Sequence, residues 1–163
     1  MENKLTKLGL YQLDNKSKKV DISSIKKLEK LLEITLPDDY KSFLKSYGHT
    51  MVFENDVQYK DIEKSPWTSK DGFSGLELFY GFDDDHYNIL KKIETYKGRI
   101  PDYCISIGDA PGGNQILLGI KDEDYYGKVY FWDHESRGVK KNHVYFVADS
   151  FQKFIDSLEL VQS

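Results

Sequence analysis

With 163 residues and a formal net charge of -4, the chain is sized for one domain that buries roughly 70% of its unfolded surface, and it lacks the basic surplus of a dedicated nucleic-acid binder. Apolar residues make up only 39%, but 12 Tyr, 9 Phe and 2 Trp supply enough aromatic bulk for a packed core, which excludes a disordered chain. A single cysteine excludes an intramolecular disulfide, a zinc ribbon and CxxC redox chemistry, and no apolar run reaches membrane-spanning length, so a cytoplasmic protein is expected.

Residues 1–20 carry no strong period and read as an irregular arm with one short strand around residues 8–13. From Asp21, a credible N-cap, Ile22, Ile25, Leu28, Leu31 and Leu32 recur at helical spacing on one face, with Lys26, Lys27, Glu29 and Lys30 on the other. Leu36-Pro37 ends that helix, because the residue before proline is pushed out of the α region, and Pro37 suits the first turn of the next one. The second helix turns Tyr40, Phe43, Leu44 and Tyr47 to one side and stops at Gly48. Both stripes are expected to cover one face of a sheet.

Residues 51–54 and 57–59 read as short strands separated by the turn pair Asn55-Asp56. A polar loop follows over residues 64–74, with Trp67 as its one large aromatic. The ring either folds back as a lid over the core or stands out as an interface anchor. Leu76-Glu77-Leu78-Phe79-Tyr80 is a strand ended by Gly81. Next, Asp83-Asp84-Asp85 is expected to open a helix, its carboxylates favoured by the dipole of a first turn, with Leu90, Ile93 and Tyr96 inward and Gly98 at its end.

The densest turn chemistry lies within residues 100–135. Tyr103, Ile105 and Ile107 alternate with Cys104 and Ser106 at the period of a half-buried strand, and Gly108, Pro111, Gly112, Gly113 and Asn114 then reverse the chain. A second run, Ile116-Leu117-Leu118, leads through an acidic turn at residues 121–126 to a third, Val129-Tyr130-Phe131-Trp132, so a three-stranded antiparallel meander is predicted. Cys104, inside a strand, reads as a small buried residue rather than a reactive thiol. Residues 137–142 form a basic, glycine-containing loop. Val144-Tyr145-Phe146-Val147 is the last strand. Asp149 is expected to cap a terminal helix, with Gln152 at the capping-box position and Phe151, Phe154, Ile155 and Leu158 buried.

Catalytic signals are absent from this pattern. The glycines of residues 108–113 lead into a strand, and no Gly-Lys-Ser/Thr follows, so they are not a phosphate loop. Asp133-His134-Glu135 and Asp83-Asp84-Asp85-His86 set histidine beside carboxylates, as a general base or metal site requires. Adjacent strand residues point to opposite faces, however, and adjacent helical residues diverge, so neither run converges on one metal by itself. A metal-dependent hydrolase built around His86 or His134 is the weakest reading. Sequence alone offers no catalytic residue, no metal site and no cofactor.

Two separated blocks carry a family likeness. The first is Glu29-Lys30-Leu31-Leu32-Glu33-Ile34-Thr35-Leu36-Pro37-Asp38-Asp39-Tyr40-Lys41-Ser42-Phe43-Leu44, ending near Gly48. The second joins Ile107-Gly108-Asp109 and Gly112-Gly113-Asn114 to Gly127-Lys128-Val129-Tyr130-Phe131-Trp132-Asp133-His134-Glu135. In order and spacing these resemble the SUKH superfamily, the fungal cell-wall assembly regulators and their bacterial relatives. Two positions depart from the pattern: Glu33 stands where glycine often precedes Leu-Pro, and Gly48-His49 replaces an asparagine-glycine or double glycine.

The resemblance implies a single α+β domain over residues 1–163, with helices packed on a mainly antiparallel sheet, acting by binding and not as an enzyme. Bacterial members are expected to be immunity proteins that neutralise a cognate polymorphic toxin, often a nuclease, through protein contacts and without nucleic acid or membrane. An intracellular scaffold is the alternative. On this reading Trp67, Trp132, Asp133, Glu135 and the acidic turn Asp122-Glu123-Asp124 lie on or beside the toxin-binding face, charge steering the encounter and buried aromatics supplying affinity. The competing structural reading puts Trp132 in the core and makes the acidic turn a solvated hairpin end.

Overall fold

The computed structural model describes residues 1–14, 19–136 and 142–162, and among them eight strands form one sheet. In chain order these are β1 (Leu10–Gln12), β2 (Met51–Lys60), β3 (Phe73–Phe79), β4 (Cys104–Asp109), β5 (Gln115–Gly119), β6 (Val129–Trp132), β7 (Val144–Ala148) and β8 (Glu159–Leu160). Strands β1 to β7 lie side by side in sequence order, every neighbour antiparallel, and β8 returns to pair with β2 alongside β1. Five helices accompany them: α1 (Glu2–Lys7), α2 (Ile22–Leu32), α3 (Asp38–Tyr47), α4 (Ile89–Tyr96) and α5 (Phe151–Ser157). The α+β class and the meander of β4, β5 and β6 are as the sequence predicts.

Strand alternation sorts side chains onto two faces. Ile105, Ile107, Ile116, Leu118, Val129, Phe131, Tyr145 and Val147 join the main core beneath the helices, against Leu28, Phe43, Leu44, Phe151, Phe154 and Ile155. Rings dominate the contact. Phe43 meets Phe79 edge-on at 5.0 Å and lies 5.0 Å from Phe151, while Tyr59 meets Phe154 at 5.3 Å. The other face of the meander carries a separate cluster of Cys104, Leu117, Tyr130, Trp132 and Val144, with Tyr96, Ile100, Tyr103, Tyr125 and Phe146 packed on it.

The helix hairpin follows its sequence signals closely. The Asp21 carboxylate caps α2 by accepting from Ser23 N at 3.0 Å, and α2 ends on Glu33 in the left-handed conformation (φ 55°). Glu29 then ties the connection down, its Oε2 accepting from Leu36 N at 2.8 Å and from Lys41 Nζ at 3.0 Å. Pro37 occupies the N-cap of α3 instead of its first turn. Only part of the α2 stripe is buried: Ile25 and Leu28 are inside, while Ile22 and Leu31 are 48% and 62% exposed, because a short helix resting on a sheet contacts it along a narrow line.

Other expectations are corrected. Instead of a wholly irregular arm, residues 1–14 contain α1, whose single buried side chain, Leu5, leaves no stripe to read. Asn55-Asp56 does not reverse the chain. It lies in an exposed bulge within β2, where the register against β3 shifts between Val52 and Val57. Strand β3 begins earlier than predicted, at Phe73, and pairs with β4 only through Leu78 to Asp109 and Phe79 to Gly108.

The acidic run is not a first helical turn either. Asp83 accepts from Thr50 N at 3.0 Å and holds His49 Nδ1 at 2.9 Å, and Asp85 accepts from Thr50 Oγ1 at 2.7 Å, so these carboxylates fasten the lead-in to β2. Asn88 caps α4, whose rotation buries Ile89 and Lys92 and turns Leu90 outward. At the last helix Ser150, not Asp149, is the cap: its Oγ accepts from Lys153 N at 3.0 Å, while Gln152 bonds to Asp39 and Asp156 instead of closing a capping box. Of the predicted loop at residues 137–142, all but Asn142 lies outside the described residues.

Candidate partner-binding surface

The β5–β6 connection folds into a tight acidic turn. Tyr125 N and Tyr126 N both donate to Asp122 O, at 3.0 and 2.9 Å, and Gly127 N closes back on Gly119 O at 2.9 Å. A Cβ at Gly119 would stand 1.9 Å from Tyr125 O, so only glycine lets the turn approach this closely. From the far side Tyr126 donates its hydroxyl to Thr35 O at 2.7 Å, pinning the turn to the helix hairpin. Asp122, Glu123 and Asp124 are all exposed on this fixed frame.

Beside the turn lies a ledge of rings. Tyr103 and Tyr125 stack at 3.7 Å with an interplanar angle of 11°, Tyr125 leads to Tyr130 at 6.4 Å, and Tyr130 meets Phe146 edge-on at 6.1 Å. Tyr103, Tyr125 and Phe146 are half-buried, and burial first, then the neighbouring Cys104, Tyr103, Tyr125 and Asp124, push the Tyr130 hydroxyl well above its usual pKa. Cys104 sits beneath, its thiol pushed up to about 12 by burial, so it is not a nucleophile at neutral pH.

At the opposite end of β6 a buried polar network supports the glycine turn. Gln115 is its hub: Oε1 accepts from Tyr80 and Ser106 hydroxyls, both at 2.6 Å, and Nε2 donates to Asp109 Oδ1 at 3.0 Å, Asn114 O at 3.0 Å and Gly113 O at 3.1 Å. Asn114 in turn accepts from His134 N at 3.2 Å and holds His134 Nδ1 at 2.7 Å, which fixes the proton on that nitrogen. Burial raises the Asp109 carboxyl pKa, against the Gln115 hydrogen bond and the charges of Lys92, His86 and His134. Lys92 is itself buried, its ammonium 5.3 Å from the Tyr80 ring and 3.5 Å from His86 Nε2.

Of the residues singled out from sequence, Trp67 is a lid. Its Nε1 donates to Asp133 Oδ1 at 3.0 Å, and its ring lies so close to Gly112 (φ 78°) that a Cβ there would stand 2.6 Å away. Asp133 is fully buried and also accepts from Glu135 N at 3.1 Å. Trp132 is 5% exposed, covered by Tyr96 edge-on and by the Arg99 guanidinium at 5.2 Å. Glu135 is exposed. The structure thus gathers Trp67, Trp132, Asp133 and Glu135 at one end of β6 and places Asp122, Glu123 and Asp124 at the other. The tyrosine ledge was not read from sequence. Its rings come from four separate segments, and only the sheet brings them together.

Among the described residues no group of three or more His, Cys, Asp or Glu side chains is placed to hold a metal ion, and no helix is long and apolar enough to cross a membrane. What the fold and its surface define is an α+β domain with one helix-covered sheet face and one aromatic face edged by acids. The chain belongs to the SMI1 / KNR4 family (SUKH-1), which matches residues 19–157. A relative, the SPbeta prophage-derived protein YokK of Bacillus subtilis strain 168, is 41% identical over 143 residues, covering 82% of this chain and 72% of its own.

Proposed function

We propose that this protein is an immunity protein that neutralises a cognate polymorphic toxin, a nuclease domain being the leading candidate, by direct protein contact and without chemistry of its own. The observation that carries this reading is the fixed acidic turn Asp122-Glu123-Asp124, presented beside an aromatic face in a chain of the SMI1 / KNR4 family. A nuclease site must attract phosphate, so it is basic, and an acidic inhibitor surface raises the encounter rate with it. The prophage derivation of the Bacillus subtilis relative fits a gene carried beside the toxin it counters. Glu135 and the acidic turn are the exposed members of the expected binding set. Trp67, Trp132 and Asp133 lie beneath Glu135, at the end of β6 away from the acidic turn.

Affinity capture of the tagged chain from its native cells, followed by co-expression with any captured toxin, tests the proposal. A toxin bound at nanomolar affinity, with growth restored, is the expected result. Recovery of housekeeping or envelope-regulatory proteins alone would overturn it in favour of a scaffold.

A further inference from the structure

We infer that the ledge of Tyr103, Tyr125 and Phe146, backed by the buried Tyr130, seats arginine and lysine side chains of a basic protein partner; on the immunity reading above, on which this identification rests, the partner is the toxin. Tyr103, Tyr125 and Phe146 are only half-buried, and the π-face of an aromatic ring is electronegative, so a face left open to solvent attracts cations. The sign of the surroundings agrees. Asp102, Asp122, Glu123 and Asp124 are exposed around the rings, and Lys121, 3.6 Å from Asp102, balances just that one carboxylate. Among the described residues no cation pairs with Asp122, Glu123 or Asp124.

The protein already uses this chemistry within itself. Arg99 covers Trp132 at 5.2 Å and Tyr96 at 5.5 Å, and Lys92 covers Tyr80 at 5.3 Å and Tyr87 at 5.7 Å. Both of those aromatic sites therefore have an intramolecular cation, whereas the Tyr103–Tyr125 stack and Phe146 have none among the described residues. Rigidity favours the ledge further. The turn that carries Tyr125 is closed by Gly127 N to Gly119 O and by the Tyr126 hydroxyl on Thr35 O, so a partner side chain meets rings already in position. An arginine lying flat on Tyr125 would bring its guanidinium within reach of the acidic turn, combining stacking with a charge-assisted hydrogen bond.

The test titrates the full-length protein with hexa-arginine, hexalysine and hexaglutamate peptides and follows backbone amide shifts by NMR. Expected are shifts confined to residues 102–104, 121–130 and 144–148, with hexa-arginine binding tighter than hexalysine and hexaglutamate not binding. Tyr125→Ala weakens hexa-arginine about three- to fivefold, Tyr125→Phe retains it, and the surface pair Asp122→Asn/Asp124→Asn weakens it without touching a ring. Shifts centred elsewhere, or equal binding by all variants, would overturn the inference. The toxin separates this proposal from the one above. Capture of a toxin equally well by wild type, Tyr125→Ala and the Asn pair sinks the ledge and leaves immunity standing. Peptide binding on the ledge with no toxin captured leaves the ledge standing and sinks immunity.

Discussion

Replacing Gln115 with leucine removes the hub of the buried network while keeping side-chain volume nearly constant. Two hydroxyls, those of Tyr80 and Ser106, lose their acceptor, and both residues are 0% exposed. Asp109 Oδ1 and the carbonyls of Gly113 and Asn114 lose a donor. A buried donor left unpaired costs about 1–3 kcal/mol, so two of them, less about 1 kcal/mol of apolar gain from leucine, predict a loss of about 1–5 kcal/mol. Urea unfolding followed by circular dichroism measures it as a lower midpoint at unchanged slope. The diagnostic comparison is Tyr80→Phe, alone and combined with Gln115→Leu. Once the tyrosine hydroxyl is gone, leucine no longer orphans it, so the double variant should be more stable than the sum of the two losses predicts by about 1–2 kcal/mol. A Gln115→Leu loss below about 1 kcal/mol, or strict additivity, would refute the claim that this network is a coupled unit.

Glu33 sits at φ 55° on the C-cap of α2, where a β-carbon is strained, so Glu33→Gly should raise stability by about 0.5–1 kcal/mol and the melting temperature by about 2 °C; a lower melting temperature would contradict this. Asp109, its pKa raised chiefly by burial, contributes stability in its protonated form below the usual carboxylate range and loses it as pH rises through the raised value. Asp109→Asn should therefore gain most over wild type near pH 7 and lose that advantage by about pH 3.5, and a pH-independent difference would count against the assignment. Cys104, with its thiol raised to about 12, should resist iodoacetamide at pH 8 in the native protein and react only on unfolding; rapid native labelling would show that the second cluster is open.

Periodicity carried the parts of this fold that have a strong stripe. Ile25 and Leu28, Tyr40 and Phe43, and Phe151, Phe154 and Ile155 are spaced as helices and buried as such. The run from Tyr103 onward, broken by the glycine turn, marked the meander but not its burial: β4 is buried on both faces instead of one, and Tyr103 packs with Cys104 in the second cluster, away from Ile105 and Ile107. Misreadings cluster where local chemistry has two uses. Asn55-Asp56 suits a turn or a bulge, and Asp83-Asp84-Asp85 suits a helix start or a brace for His49 and Thr50. Sequence cannot choose between them, because the partner is tens of residues away. The candidate surface divides the same way. Its acids form one contiguous run and were visible, whereas Tyr103, Tyr125, Tyr130 and Phe146 become neighbours only through the pairing of β4, β5, β6 and β7.

The return of β8 to β2 sets a timetable for synthesis. Gln58 Nε2 donates to Glu159 Oε1 across 101 positions of chain, and α5 packs on α1, α3 and β2, all of which leave the ribosome long before it. Until α5 emerges, the ring cluster around Phe43 and Phe79 lacks Phe151 and Phe154, and half of one β2 edge has no strand to pair with. Loop closure over so long a span is slow. The nascent chain therefore exposes apolar surface for much of its translation, the interval in which a chaperone has most to bind.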